Sequence, residues 1–228
     1  MCAKALISDM QTRSFNLHTI IEKRVLTQAA FILRMERKGI EFVAGQHIQV
    51  GPPNGIHTRE YSIYSSPEDD YIEILVRQVD DGLVSPALNK LGVGDSVVIN
   101  DAVGYFTIAE ELIKDAKFLF IASGTGISPF HSFVKSYPGL DYKLLHGVRY
   151  ANETYERDDY EAGRYLACTS QDKEGDFHGR VTDYLSKNPV SPDTLCYLCG
   201  NCDMIHDAFD ILEAQGLRPE NLFTEVYF

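Results

Sequence analysis

From about Arg13 to Thr107, polar and apolar residues alternate in short runs separated by turn signals, most plainly in Glu73-Ile74-Leu75-Val76-Arg77-Gln78-Val79. A period of two over such short lengths predicts strands, and their regular spacing predicts an antiparallel barrel. Gly51-Pro52-Pro53-Asn54-Gly55, Asp80-Asp81-Gly82 and Gly92-Val93-Gly94-Asp95 mark its turns. One helix, Ser85 to Leu91, interrupts it.

From Lys117 the pattern changes. Apolar runs (Phe118 to Ala122, Tyr142 to Val148, Tyr165 to Thr169, Thr194 to Cys199, Leu222 to Phe228) alternate with helical stretches such as Arg180 to Lys187 and Asp203 to Gln215. Alternating strands and helices predict a parallel sheet with crossover helices. The expected architecture is therefore a two-domain chain: an antiparallel β-barrel over 1–110, then an α/β parallel-sheet domain over 111–228. The junction near Ile108 to Lys114 has no long Gly/Ser linker, so the domains are expected to pack closely, with a ligand cleft between them.

Composition narrows the function. With 44% hydrophobic and 24% charged residues in 228, the chain is ordinary for a globular protein. A net charge of -12 argues against a nucleic-acid partner, because phosphate neutralisation needs a basic face. The excess is uneven: residues 1–108 carry 10 Lys+Arg against 13 Asp+Glu, and residues 109–228 carry 11 against 20. An acidic partner would thus dock on the first half, where Lys23, Arg24, Arg34, Arg37 and Lys38 could form a local basic face or an ordinary solvated surface. No apolar run reaches the roughly 18 residues of a membrane span, and Met1 to Gln11 has no secretory core, so a cytoplasmic location is expected. Five cysteines (Cys2, Cys168, Cys196, Cys199, Cys202) without a framework-like spread suit reduced thiols.

Three segments carry candidate chemistry. In Arg59-Glu60-Tyr61-Ser62, alternation puts Arg59 and Tyr61 on one side of a strand, about 7 Å apart along it. A phosphate and a flat ring could be held together there, although the segment alone reads equally as a plain strand. Gly82-Leu83-Val84-Ser85 precedes Pro86 at a helix start with Ser85 as candidate N-cap, either a plain capped helix or an anion site. Gly124-Thr125-Gly126-Ile127-Ser128-Pro129 follows the first parallel strand, where glycines let backbone approach a pyrophosphate. A further pattern, Cys196, Cys199 and Cys202 with His206 after three intervening residues, is near the spacing of a ferredoxin cluster run. Its first cysteine lies inside an apolar strand, so no metal is expected.

Together with Gly104-Tyr105-Phe106, His146-Gly147-Val148-Arg149-Tyr150, Cys199-Gly200-Asn201 and the tail Glu225-Val226-Tyr227-Phe228, these segments resemble the ferredoxin/flavodoxin-NADP(H) reductase family over essentially the whole chain, above all its short bacterial FAD-containing members. The resemblance implies FAD. Arg59 would bind its pyrophosphate, with Glu60 beside it; Tyr61 would lie against the isoalloxazine, and Ser62 would hydrogen-bond near flavin N5. Leu75, Val76, Arg77 and Gln78 would give backbone contacts, and Leu83, Val84 and Ser85 would cap the pyrophosphate. Thr125 would lie where nicotinamide and flavin meet. Tyr227 would stack on the other flavin face, with Phe228 past it. Glu225 matches the family's active-site carboxylate, and Cys199 would line the nicotinamide pocket, with Asp203 at the start of the following helix.

The resemblance further implies a 2'-phosphate site on Arg149, Ser170 and Arg180. Gln171 stands where an arginine is common, and a neutral amide cannot match a guanidinium's charged, bidentate hold. Lys173 is near enough to compensate, so NADPH is expected, with NADH as the alternative. The implied reaction is hydride transfer from nicotinamide C4 to flavin N5, then single-electron steps to a ferredoxin or flavodoxin docked on the flavin domain. Rival readings are a free-flavin reductase, an oxygenase reductase component, or a non-catalytic flavin sensor.

Overall fold

A computed structural model describes residues 16–53 and 57–227. Phe228, Cys2 and the Asn54-Gly55 end of the first turn lie outside the described residues.

The first domain is a six-stranded antiparallel sheet ordered β4-β3-β6-β1-β2-β5. Its strands are β1 (Leu17–Thr27), β2 (Ala30–Glu36), β3 (His47–Gly51), β4 (Arg59–Ser62), β5 (Tyr71–Arg77) and β6 (Ser96–Ile99). An antiparallel bridge between Ile63 and Ile74 joins its outer strands and closes the barrel. The period-two reading explains what β5 does. Ile72, Ile74 and Val76 enter the barrel core, while Leu75 joins a second core shared with the other domain. Glu73, on that same outer face, is 1% exposed and bound by Arg24 and Arg34 through one carboxylate oxygen, at 2.6 and 2.8 Å. An unpaired carboxylate at that depth would be costly; two guanidinium partners make it tolerable.

A five-residue helix, α1 (Ser85–Asn89), lies between β5 and β6. The expectation that Ser85 caps it is corrected. The N-cap position is Val84, and the Ser85 hydroxyl instead accepts the Val79 amide at 3.0 Å, tying the Asp80-Asp81-Gly82 turn to the helix.

The second domain is a six-stranded parallel sheet ordered β10-β9-β8-β7-β11-β12. Its strands are β7 (Lys117–Ser123), β8 (Asp141–Val148), β9 (Tyr165–Thr169), β10 (Phe177–His178), β11 (Leu195–Asn201) and β12 (Leu222–Tyr227). Its helices are α2 (Ser128–Ser136), α3 (Val181–Lys187) and α4 (Cys202–Ala214). The run Phe118 to Ala122 is apolar throughout because both faces are covered: Phe118, Phe120 and Ala122 enter the shared core, Leu119 and Ile121 the core under α3 and α4. Strand order reverses between β7 and β11, and ligands of open α/β sheets bind at the carboxyl ends of such a pair.

The domains are fused by apolar contact and polar ties. Phe106 from the barrel side packs on Phe130, Phe133 and Tyr197 at centroid distances of 5.3 to 6.2 Å. His131 stacks on Tyr64 at 3.7 Å, with one ring nitrogen 2.7 Å from the Tyr64 carbonyl and the other 2.9 Å from Asp159. Ser132 donates to the Ser65 carbonyl at 2.7 Å, and Arg24 reaches Glu156 at 3.0 Å.

These ties also engage the five basic residues that the sequence left open as a docking face or an ordinary solvated surface. Arg24 and Arg34 are spent on Glu73, Glu22 and Glu156. Arg37 donates to the carbonyls of Ile40, Pro67 and Asp69, and Lys23 to those of Asn89 and Leu91. Lys38 pairs with Glu36 and the Leu17 carbonyl. Each of the five cations is engaged in an ion pair or a backbone hydrogen bond, and Lys38 remains half exposed.

Candidate active site at the domain seam

β3 and β4 pair so that His47 faces Ser62 and Ile48 faces Tyr61. Ile48 lies in the barrel core, and Tyr61 packs on that core; His47 and Ser62 therefore face the other way, toward the parallel sheet. The Ser62 hydroxyl crosses the seam and donates to Glu225 Oε2 on β12 at 2.8 Å. The Cys199 thiol, on neighbouring β11, lies 3.9 Å from the same oxygen. His47 Nδ1 is 3.6 Å from the other oxygen, Oε1. Ser62, Cys199, Glu225 and Tyr227, four residues singled out in the sequence, thus meet at one point.

The cluster is largely withdrawn from water, and its ionisation reflects that. Burial raises the Glu225 carboxyl above the usual carboxylate range, with the Ser62 hydrogen bond and His47 pulling the other way. Burial, and then the nearby Glu225 charge, hold the Cys199 thiol well above its ordinary value. Burial, with Cys199 and Glu225 adding to it, does the same for the Tyr227 phenol, whose hydroxyl is buried and finds no hydrogen-bond partner among the described residues. Such a cysteine is not a nucleophile poised as thiolate. An orphaned phenol beside three polar side chains marks a place where a polar ring edge would be satisfied.

On the barrel side, burial pushes the Tyr61 phenol up to about 12 and the Arg59 charge opposes it, so the guanidinium and the ring are neighbours. Arg59 and Glu60 are exposed, and among the described residues Arg59 donates only to the Thr58 carbonyl, at 2.9 Å. Past the Ile63–Ile74 bridge, Leu75, Val76 and Arg77 pair with β2 along one edge of β5. The Gln78 amide is taken by the Ala29 carbonyl at 2.8 Å, so that N–H is not available to a ligand. Leu83 is 64% exposed at the tip of its loop, and Val84 is buried. An exposed guanidinium beside an aromatic ring and an open strand edge suits the phosphates and flat ring of a flavin nucleotide.

On the parallel-sheet side, Gly124–Ile127 forms a 3-10 turn that runs into α2, with Pro129 in its first turn. The glycines there are steric necessities. A Cβ on Gly126 would strike the Cys199 carbonyl, and one on Gly200 (φ +130°) would strike Ser123, so turn and β11 interlock only without side chains. Thr125 sits in that turn, and Asn201 caps α4 by accepting the amides of Asp203 and Met204. His146 pins the turn from below. Fully buried, its Nε2 lies 2.8 Å from the Gly124 carbonyl and its Nδ1 2.6 Å from the Tyr165 hydroxyl, and burial drives its pKa down to about 4. A neutral imidazole then donates from Nε2 and accepts at Nδ1.

Arg149, Ser170 and Arg180 follow the carboxyl ends of the adjacent strands β8, β9 and β10. Arg149 is half exposed with a 3.4 Å contact to Glu153, and Ser170 leans on the Val148 carbonyl at 3.4 Å. Arg180 is the exposed N-cap of α3 and forms no ion pair among the described residues. Gln171 and Lys173 are exposed beside them.

The cysteine run does not converge. Cys196 points into the core under α3 and α4, Cys199 into the shared core, and Cys202 toward His206 at 3.9 Å on α4. The residue that sequence reading missed is His47. Its signal was present in the two-residue register of β3 against β4, which requires knowing the strand pairing.

The comparisons with known proteins agree with this geometry. The oxidoreductase FAD-binding domain family matches residues 18–108, and the oxidoreductase NAD-binding domain family matches residues 120–210. The toluate 1,2-dioxygenase electron transfer component of Pseudomonas putida is 29% identical over 221 residues, covering 90% of this chain and 65% of that protein. The flavodoxin/ferredoxin–NADP reductase of Shigella flexneri is 30% identical over 207 residues, covering 79% and 83%. The chain spans about half to two thirds of several relatives: 65% of the toluate component, 64% of the phenol hydroxylase P5 protein of Acinetobacter pittii and 52% of the flavohemoprotein of Bacillus subtilis. Among solved structures, a ferredoxin NADP+ reductase from Neisseria gonorrhoeae with bound FAD and NADP matches with a TM-score of 0.84 over 95% of this chain and all of that one; at 24% identity this likeness speaks for the fold. No described helix is long and apolar enough to cross a membrane. The chain belongs to the ferredoxin/flavodoxin–NADP reductase family of FAD- and NAD-binding oxidoreductases.

Proposed function

We propose that this protein oxidises NADPH and passes the electrons singly to a ferredoxin or flavodoxin through a bound FAD. The observation that carries the reading is the Ser62–Glu225 hydrogen bond across the seam, with Cys199 against the same carboxylate at the strand-order reversal.

FAD, when bound, supplies the step from two-electron to one-electron chemistry. This chain's residues do the positioning. Arg59 holds the pyrophosphate with Glu60 beside it, Tyr61 and Tyr227 flank the isoalloxazine, and Phe228 follows. Leu75, Val76 and Arg77 offer strand edge; Gln78 contributes through groups other than its amide. Leu83, Val84 and Ser85 approach the pyrophosphate as a loop. Ser62 orients a hydrogen-bonding edge near N5, and its bond to Glu225 fixes the hydroxyl's direction. Cys199 shapes the nicotinamide pocket as a neutral thiol, excluding water from the reacting atoms, with Thr125 and Asp203 bounding it. Arg149, Ser170 and Arg180 receive the 2'-phosphate, with Lys173 near.

A second reading is an oxygenase electron-transfer component, like the Pseudomonas putida protein so described, working without an electrostatic docking face. The engagement of Lys23, Arg24, Arg34, Arg37 and Lys38 in internal contacts favours giving it weight.

The test is anaerobic mixing of the purified flavoprotein with NADPH or NADH, followed by turnover with ferredoxins, flavodoxins and free FMN. Rapid bleaching by NADPH with fast reduction of a ferredoxin or flavodoxin is expected. Bleaching with turnover only of free FMN would make it a flavin reductase, and no bleaching by either cofactor would refute the reading.

A further inference from the structure

Glu225 has two carboxylate oxygens with different partners. Oε2 takes the Ser62 hydroxyl at 2.8 Å and the Cys199 thiol at 3.9 Å, whereas among the described residues Oε1 pairs with His47 Nδ1, at 3.6 Å. The imidazole is held in place from behind. Gly104 (φ +120°) is so close that a Cβ there would lie 3.0 Å from Nδ1 and 3.2 Å from Cε1, and the His47 backbone is bridged to Val103 in both directions at 2.9 Å. The side chains of His47 and Glu225 are 20% and 18% exposed, so their interaction is only partly screened by water.

We propose that His47 is a positioning residue that sets the charge of Glu225: as imidazolium it holds the carboxylate ionised and turned so that the other oxygen keeps Ser62 fixed. This rests on the reading of Glu225 as the carboxylate of the reaction site. The groups facing Glu225 are His47 from β3, Ser62 from β4, Cys199 from β11 and Tyr227 from its own strand. The cysteine and the tyrosine keep their protons because burial lifts both well above their ordinary values, and a serine does not titrate in this range. Of these four groups His47 alone can carry a positive charge. Burial, the largest influence on Glu225, favours its neutral form; His47 opposes it. At 3.6 Å a protonated His47 and an ionised Glu225 form an ion pair, the arrangement the proposal requires.

The experiment reads the carboxyl directly. The infrared stretch of protonated Glu225, assigned by its loss in Glu225→Gln, is titrated in the FAD-loaded wild type and in His47→Asn, which keeps a donor but no charge. His47→Gln is read in parallel, so that one poorly folding variant does not end the test. Removing the imidazolium should move the Glu225 titration up by about one pH unit, the lower end of what a neighbouring opposite charge does. His47→Lys should bring it back toward the wild-type midpoint. The acid limb of the NADPH reduction rate should follow the same order. An unmoved Glu225 midpoint in both neutral variants overturns the proposal. A midpoint that moves as expected in a protein that NADPH does not reduce upholds the His47–Glu225 coupling and instead sinks the reductase reading.

Discussion

The two parts of the candidate site are built in opposite ways. At the seam, Ser62, Cys199, Glu225 and Tyr227 converge from both domains in buried, hydrogen-bonded geometry. At the outer end, Arg149 and Arg180 are exposed, one leaning loosely on Glu153 and the other without an ion pair among the described residues. A buried polar group works through fixed geometry and is costly to disturb, whereas an exposed charge works through a screened field and is cheap to exchange. Chemistry should therefore be brittle at the seam and cofactor preference tunable at the rim.

The largest expected effect probes the seam. Ser62→Ala takes from Glu225 its 2.8 Å donor and removes the hydroxyl aimed across the seam. Loss of one preorganised donor costs on the order of 10² to 10³ in rate. Stopped-flow reduction by NADPH should slow by about that factor while FAD stays bound. A loss under tenfold would mean that the seam cluster is packing rather than machinery.

The next effect tests whether burial governs the turn between β7 and α2. His146 has a folded-state pKa of about 4 against an ordinary value of 6.5. Between those values the unfolded chain binds a proton that the native one refuses, so stability falls as pH falls through that window. The full difference amounts to about 3 kcal/mol, reached near pH 4. Denaturant unfolding from pH 7 to pH 4 should show a steeper acid loss in wild type than in His146→Gln, which carries no titrating ring. Parallel curves for the two proteins would contradict a buried neutral imidazole. Gly126→Ala should destabilise by about 2 kcal/mol at all pH values, since its methyl would strike the Cys199 carbonyl. An unchanged unfolding midpoint would show that turn and strand are not interlocked.

The same contrast explains what the sequence made legible. Periodicity separated barrel from parallel sheet, because β1 to β6 and β7 to β12 bury their faces differently: one face for most barrel strands, both faces for Phe118 to Ala122. Local turn chemistry was readable where glycine is sterically required, as at Gly126 and Gly200. It misled where a side chain had two local partners to choose from: Ser85 bonds Val79 rather than its own helix. Strand pairing stayed hidden, and with it His47, whose importance depends on lying opposite Ser62 and near a residue 178 positions further along the chain. The charge of Arg24 and Arg34 was visible, but not that Glu73, buried on the barrel's outer face, would claim both.

The smallest effect belongs to the rim and decides whether the comparison holds. Arg180, the N-cap residue of α3, has its backbone amide bonded to Asp183 at 2.8 Å, so the helix start does not depend on its guanidinium. Arg180→Ala should leave stability unchanged. A charge-assisted hydrogen bond to phosphate contributes about 1.5 kcal/mol at its weaker end, so kcat/KM for NADPH should drop about tenfold. NADH, which lacks the 2'-phosphate, should be unaffected. Restoring the charge elsewhere in the same patch, by Gln171→Arg in the Arg180→Ala background, should recover much of the NADPH rate, because a screened field depends more on net charge than on the identity of one residue. Equal losses with both cofactors would place Arg180 in the shared adenosine contacts, and the rim would then resemble the seam in being geometric.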